Sequence, residues 1–410
     1  MERFNVSILE NLHLDMAKKI VKDFKLPFNF VDKPHFVGIM GSIPEVAPEF
    51  NDAFDTIADI CIHVNMDDQP QMIKMIHQTL DGMVDFILNS PGYLAFNGIN
   101  GKMDINTMFP LEKSNVPTGD NYNTPSAGKD YISIDLKNAA FQAMKLWDTC
   151  YGKEYGCILG WDIHTYEDFV LEVMQRITFD NSYNKDMFDV VYRYVCKCKS
   201  LRQVIFGKTN PKRIMHIEKF IMQSVMKLIS NDERFNIEPI RFNNDELIYE
   251  YNEDLDEKLG FPDSLGQLQW AITTIDKINN NDMTKYISMT LDFHKKVYTL
   301  KEYAVKQSYM IVGGLKPIKF YVKQNREPYT HKPLAPEFKS LPSTVYLVAR
   351  SLYESKFEEA RYFETLPIMV DGVLHWMAIP TANYSSDGEP VSRQNVWELI
   401  DPSKPAEENS

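Results

Sequence analysis

The sequence predicts an α+β fold in which antiparallel strands carry packed helices, and three patterns point to it. Tyr131 to Ile134 is a short apolar run suited to a buried strand, and 137-KNAAFQAMKLW-147 then places Ala140, Ala143, Met144 and Trp147 on one side of a helix. Further on, 237-IEPIRF-242 and 247-LIYEY-251 read as strands joined by Asn243 and Asn244, residues that tolerate the left-handed backbone of a tight turn. Near the end, 366-LPIMVDGVLHWMAI-379 is two apolar runs around Asp371-Gly372, a two-residue hairpin signal.

The remaining elements follow in order. Residues 1–125 read as a mixed α/β region, with helical spacing in 14–24 and in 70–88, where Met72, Ile73, Ile76, Leu80, Met83 and Ile87 recur at steps of three and four. Between these helices, 36-FVGIM-40 and 59-DICIHVNM-66 have the texture of strands. From Met108 to Lys129 the Pro, Asn, Gly, Ser and Thr content predicts a loop. The central region, 126–254, holds the first strand and hairpin, with a helix between them: Asn210 is a good N-cap, Pro211 sits at the first helical position, and Ile214, Ile217, Ile221, Val225 and Leu228 form a stripe. In 255–400, the stretches 255–281 and 285–307 have helical spacing, 317–324 reads as a strand and 345–363 as a helix. Residues 401–410 predict a frayed polar tail.

A chain of 410 residues has room for two to three structural units, since single cores rarely grow past roughly 250–300 residues. The net charge of -13 argues against a protein that coats nucleic acid with uniform positive charge, and leaves room for a local basic groove. Five cysteines make no disulfide framework at this length, and Cys196 and Cys198 are too close for the usual zinc-knuckle spacing. A reducing, cytoplasmic setting is the expectation. The first residues lack a signal peptide's apolar core, and no window approaches the roughly 18 apolar residues of a membrane span, so no membrane partner is expected.

The chemistry concentrates in three segments. Asp135 ends the first strand, where a side chain projects into the crevice beyond a sheet; the plain alternative is a helix N-cap. Asp245 and Glu246 stand together at or just past the hairpin tip. Adjacent carboxylates repel unless a cation neutralises them, and hard oxygen donors suit Mg2+ or Mn2+; the alternative is a solvated surface turn. Between them, Lys208, Lys212 and Arg213 surround the start of the Pro211 helix, where free N–H groups already attract anions such as a triphosphate. An exposed basic face on a core-packing helix would look the same.

This order of segments resembles the palm of template-dependent polymerases, especially the reverse-transcriptase-like group. There a first motif has an Asp followed some residues on by an aromatic, as Asp135 is by Phe141. A second has a Gly turn leading through Pro into a helix, as in 207-GKTNP-211, and a third is an aromatic-x-Asp-Asp hairpin, approximated by 242-FNNDE-246. The second acid here is Glu, Asn244 stands at the tyrosine position, and Phe206 replaces the usual Gln before the Gly. The resemblance covers about residues 130–254. It implies a palm-like antiparallel sheet with metal ligands at Asp135, Asp245 and Glu246. Lys208, Lys212, Arg213 and Phe141 would then lie near the incoming nucleotide. Nucleic acid and nucleoside triphosphates would be the partners. From His294 to Lys332, nine basic residues face two acids with tyrosines interleaved; Lys295, Lys296, Lys316, Lys319 and Lys323 are expected to track a phosphate backbone from a helical, thumb-like region. Two further readings remain open. One is a two-metal nuclease of ribonuclease H-like type, drawing on Asp162, Glu167 and Asp168, and the other is a non-catalytic viral or assembly protein.

Overall fold

The computed structural model describes residues 6–28, 30, 32–34, 36–37, 40, 48–98, 104–177, 179, 185–230, 237–258, 267–277, 284–307, 317–327, 330–354, 363–370, 373–380 and 397–403. The described residues form a mixed α+β structure around an open antiparallel sheet. Before the sheet come α1 (Leu14–Asp23), α2 (Asn51–His63), α3 (Gln69–Leu88), α4 (Pro91–Phe96) and the single turn α5 (Ile105–Met108), with further helical residues at 33–34, 36–37 and 40. Strand β1 (Asp130–Leu136) follows, then α6 (Ala139–Tyr155), α7 (Tyr166–Arg176), α8 (Lys185–Lys197), α9 (Lys199–Gly207) and α10 (Pro211–Ser230). The hairpin β2 (Arg241–Phe242) and β3 (Glu246–Glu250) leads into α11 (Glu253–Lys258). The rest is largely strand: β4 (Gln267–Lys277), β5 (Thr284–Gln307), β6 (Ile318–Arg326), β7 (Glu337–Lys339), then α12 (Ser343–Glu354), the hairpin β8 (Phe363–Val370) and β9 (Val373–Pro380), and β10 (Trp397–Ile400).

The sheet runs β2-β3-β1-β5-β6-β7, with β4 and β10 also paired to β5. Every strand pairing within it is antiparallel. Strand β5 is the spine. Along one side it takes β4 through residues 284–294 and β6 through 297–305; along the other it takes β1 through 293–299 and β10 through 304–307. Alternation along β1 decides which face each side chain joins. Ile132, Ile134 and Leu136, with Leu247, Tyr249, Phe293 and Val297, pack into one core with the helices. Tyr131 faces the other way and joins Ile248, Tyr298, Leu300 and Tyr321. That second face is partly covered by the 117–127 loop, whose Tyr122 stacks on Tyr321 with ring centroids 6.3 Å apart.

Several sequence expectations hold: the helices near 14–24 and 70–88, the loop from Met108 to Lys129 apart from the α5 turn and a short 3-10 turn, strand β1 with its helix, the paired strands β8 and β9 on either side of 371–372, which themselves lie outside the described residues, and α12 as far as Glu354. Others do not. Residues 59–63 belong to α2, where Ala53, Phe54, Ile57 and Ile60 face inward at helical spacing and Ile62 is exposed; apolar density there had suggested a strand. Residues 36, 37 and 40 are helical, and 38–39 lie outside the described residues. The larger correction concerns 255–307. The expected long helices are instead α11 and the strands β4 and β5, so the basic segment extends the sheet rather than forming a helical thumb. Tail residues 404–410 also lie outside the description.

Candidate active site

Strand β1 ends in a tight turn, Lys137-Asn138, and Asn138 takes the left-handed conformation at φ 52° that Asn tolerates better than most residues. The Arg202 guanidinium of α9 donates to the Asn138 side chain and clamps this turn. Asn138, not Asp135, occupies the N-cap position of α6, although its side chain makes no capping hydrogen bond, and Asp135 stands near the end of β1.

The β1–β3 ladder places Asp135 directly opposite Glu246, and the Leu136 N–H donates to the Asp245 carbonyl oxygen at 2.8 Å. The two acidic segments therefore meet in space. Asp135 is half-buried, and no hydrogen bond or ion pair engages its carboxylate among the described residues. Burial pushes its pKa up to about 7, with repulsion from Asp245 and Glu246 adding to the effect. Asp245 is also raised, first by burial and then by Glu246. Glu246 is paired: the Lys323 ammonium, almost fully buried, sits 3.4 Å from its carboxylate. Lys323 also lies over the Tyr298 ring at 4.5 Å and the Tyr122 ring at 5.4 Å. Burial opposes charge on Lys323, but Tyr298, Glu246 and Glu337 more than offset it, so its pKa is raised.

Two other lysines bear on the acids. Lys296 shares the face of Asp135 and pairs with Glu337 at 2.8 Å. Lys199, exposed at the first position of α9, lowers the pKa of both Asp135 and Asp245 by its charge. On the helical side, Glu218 of α10 is buried and its pKa is pushed up to about 7, by desolvation first and then by Asp245. The signal for Glu218 was in the sequence, since an acid four residues after Ile214 and three before Ile221 falls on the apolar stripe. Lys199 had no comparable mark.

The expected phosphate-binding residues are placed elsewhere. Lys208 pairs with Asp81 at 3.7 Å, Arg213 lies over the Phe96 ring at 5.6 Å and feels Asp104, and Lys212 is exposed. The start of α10 is thus held against α4, Asn97 and Phe109: Asn210 donates to Asn97 and His216 bonds to the Phe109 carbonyl oxygen. Phe141 is buried in the core, edge-on to Tyr166, and presents nothing to a substrate. Among the basic tract, Lys295 is fully buried and tied to Asp256 at 2.6 Å, so it is not available to a phosphate backbone. Lys319 is exposed and pairs with Glu302 at 2.8 Å, while Lys316 lies outside the described residues. Of the acids read for a nuclease, Asp168 is engaged in a capping box with Thr165 at the start of α7; Asp162 and Glu167 are exposed beside it.

As the side chains stand, no three His, Cys, Asp or Glu residues among those described converge closely enough to hold a metal ion. Asp135 and Asp245 are half-buried carboxylates whose charges repel each other. No helix among the described residues is long and apolar enough to cross a membrane. Neither a protein-family model, nor a curated protein, nor a solved structure matches this chain.

Proposed function

We propose that the chain is a template-dependent nucleic-acid polymerase or related nucleotidyltransferase, built on a palm-like arrangement and using divalent cations at Asp135 and Asp245. One observation carries the reading: the ladder that sets Asp135 opposite the hairpin tip bearing Asp245 and Glu246. Mg2+ or Mn2+ bound there would supply activation of a 3′-hydroxyl and charge neutralisation at a triphosphate.

The chain's own residues divide the remaining work. Asp135 holds the cation from the end of β1 and Asp245 from the hairpin turn just before β3, which the Leu136 N–H to Asp245 carbonyl bond ties to β1. Glu246, tied to Lys323, anchors the hairpin tip instead of serving as an equal ligand. Lys199 and the free N–H groups at the start of α9 offer positive charge toward the phosphates, a task the sequence assigned to Lys208, Lys212 and Arg213. Lys296 is the basic-tract residue best placed to meet nucleic acid beside the acids.

Given a primed template, nucleoside triphosphates and Mn2+ or Mg2+, the protein should extend the primer. Asp135→Asn and Asp245→Asn should each lower extension by about 100-fold or more with the circular dichroism spectrum unchanged. Substrate degradation without added nucleotides would indicate a nuclease instead. Absence of both reactions, together with Mn2+ binding indifferent to either substitution, would sink the reading.

A further inference from the structure

The 156–165 loop between α6 and α7 is held firmly. Asp148 of α6, only 1% exposed, accepts the N–H groups of Ile158, Leu159 and Gly160 at 2.5, 2.9 and 3.1 Å. Lys145 donates to the Gly160 carbonyl oxygen at 3.3 Å. Next in the chain stands Trp161, 49% exposed. Its indole rests on α6 at Gly152, where a Cβ would come within 3.0 Å of the ring. Leu171, 37% exposed, lies off the buried stripe of α7, which is Tyr166, Phe169, Val170, Val173 and Met174. Single exposed apolar side chains are ordinary on protein surfaces. These two differ in lining one groove together, about 280 Å3 in volume, which the buried Leu159 and Ile163 also line.

A fixed aromatic side chain left in water beside an apolar groove has the properties of a binding anchor, because covering it costs little conformational entropy. The size of the groove narrows the occupant. Small-molecule and cofactor pockets run from about 300 to 1,000 Å3, so this one suits single side chains of a partner instead. Charge narrows it further. The groove is lined by the acids Asp162, Asp168 and Glu172 and by the base Arg176, whose guanidinium donates to Glu172. The helix dipole accounts for Asp168 in the first turn of α7, whereas Asp162 and Glu172 lie outside that turn. These acids would repel a phosphate backbone and attract Lys or Arg, which the face of the Trp161 ring also favours. We propose that this groove docks a segment of a partner protein that inserts one apolar side chain beside Trp161 and Leu171 and sets Lys or Arg against Asp162 and Asp168. None of Asp135, Asp245 and Glu246 lines it, so docking here is independent of the chemistry proposed above.

The test is selection from a displayed library of short random peptides on the immobilised full chain, followed by fluorescence anisotropy of the enriched peptides with wild type and variants. Enriched peptides should carry Lys or Arg around an apolar residue. Trp161→Ala should weaken their binding about tenfold or more, and Trp161→Phe, which keeps a ring, should recover much of that loss. Asp162→Lys should weaken binding severalfold and flatten its dependence on salt. Leu171→Arg, at an exposed position, should also weaken it about tenfold by clash and like charge, and it decides alone should Trp161→Ala fail to fold. An absence of enrichment, enriched peptides without basic residues, or binding indifferent to Trp161→Ala and Leu171→Arg would each overturn the proposal. A dimer in sedimentation velocity that Trp161→Ala dissociates would assign the groove to a second copy of this chain. Oligonucleotide binding weakened by Trp161→Ala would assign it to nucleic acid, and either result overturns the proposal as well.

Discussion

Asp135, Glu218 and Lys323 are the residues whose surroundings make the strongest demands. Asp135 would titrate near 3.8 when exposed and near 7 in the folded protein, and Glu218 moves from 4.5 to about 7. Between those values the native state holds protons that the unfolded chain has released, so stability falls as pH rises from about 4 to about 7. Metal-free protein should therefore unfold at lower urea concentration at pH 7.5 than at pH 5, by a few kcal/mol across the two sites together. Asp135→Asn should flatten that slope and stabilise the metal-free protein at neutral pH; a steeper slope in the variant would contradict the assignment. Lys323 makes the opposite prediction. Lys323→Met leaves Glu246 half-buried without its counter-charge and should cost about 3 kcal/mol. Adding Glu246→Gln should restore much of that loss, and additive losses in the double-mutant cycle would show that the two do not act as a pair.

At the level of elements, α4 meets the chain after α6 so closely that there is no room for a side chain at Gly92. A Cβ there would lie 2.3 Å from the Cys157 carbonyl carbon and 2.4 Å from the Gly156 oxygen. The 158–160 backbone beyond is held by Asp148, which accepts N–H groups from Ile158, Leu159 and Gly160. Gly92→Ala should lower stability by about 1–3 kcal/mol in chemical denaturation, because backbone rather than a flexible side chain must give way. The same scale explains what could be read from the sequence. Helices α3 and α10 were legible because one face is buried and the stripe repeats cleanly. Strand β1 was legible because it is short, apolar and followed by a turn. Strand β5 was not, since along 293–300 both of its faces carry buried residues. Phe293, Lys295 and Val297 point to the helices and Tyr298 and Leu300 to the Tyr122 side, so the pattern passes from alternation to adjacent buried residues. Lys295 is buried through its partner Asp256, which no periodicity reveals. The acidic segments could be named from sequence. Their counter-charges, Lys199, Lys296 and Lys323, depended on pairings across the fold.

For the whole molecule, the net charge of -13 means that any nucleic acid must be held against a repulsive background. Binding of a labelled primed template should accordingly be weak in a chelating buffer and strengthen when Mn2+ is added; equal affinity in both would argue that the acids do not face the polymer. The sheet also has a history in time. Strand β1 is made before either of its neighbours, for β3 follows after α6 to α10 and β5 comes later still. Until both have emerged and docked, β1 exposes two unpaired edges of apolar sequence, the kind of template on which chains associate. A chain cut after Ser230 should therefore be aggregation-prone even though its helices are complete, and the full chain should fold slowly, limited by bringing distant strands together. The arrangement that lets Asp135 and Asp245 approach from remote parts of the sequence thus makes the newborn chain vulnerable for as long as its later strands are missing.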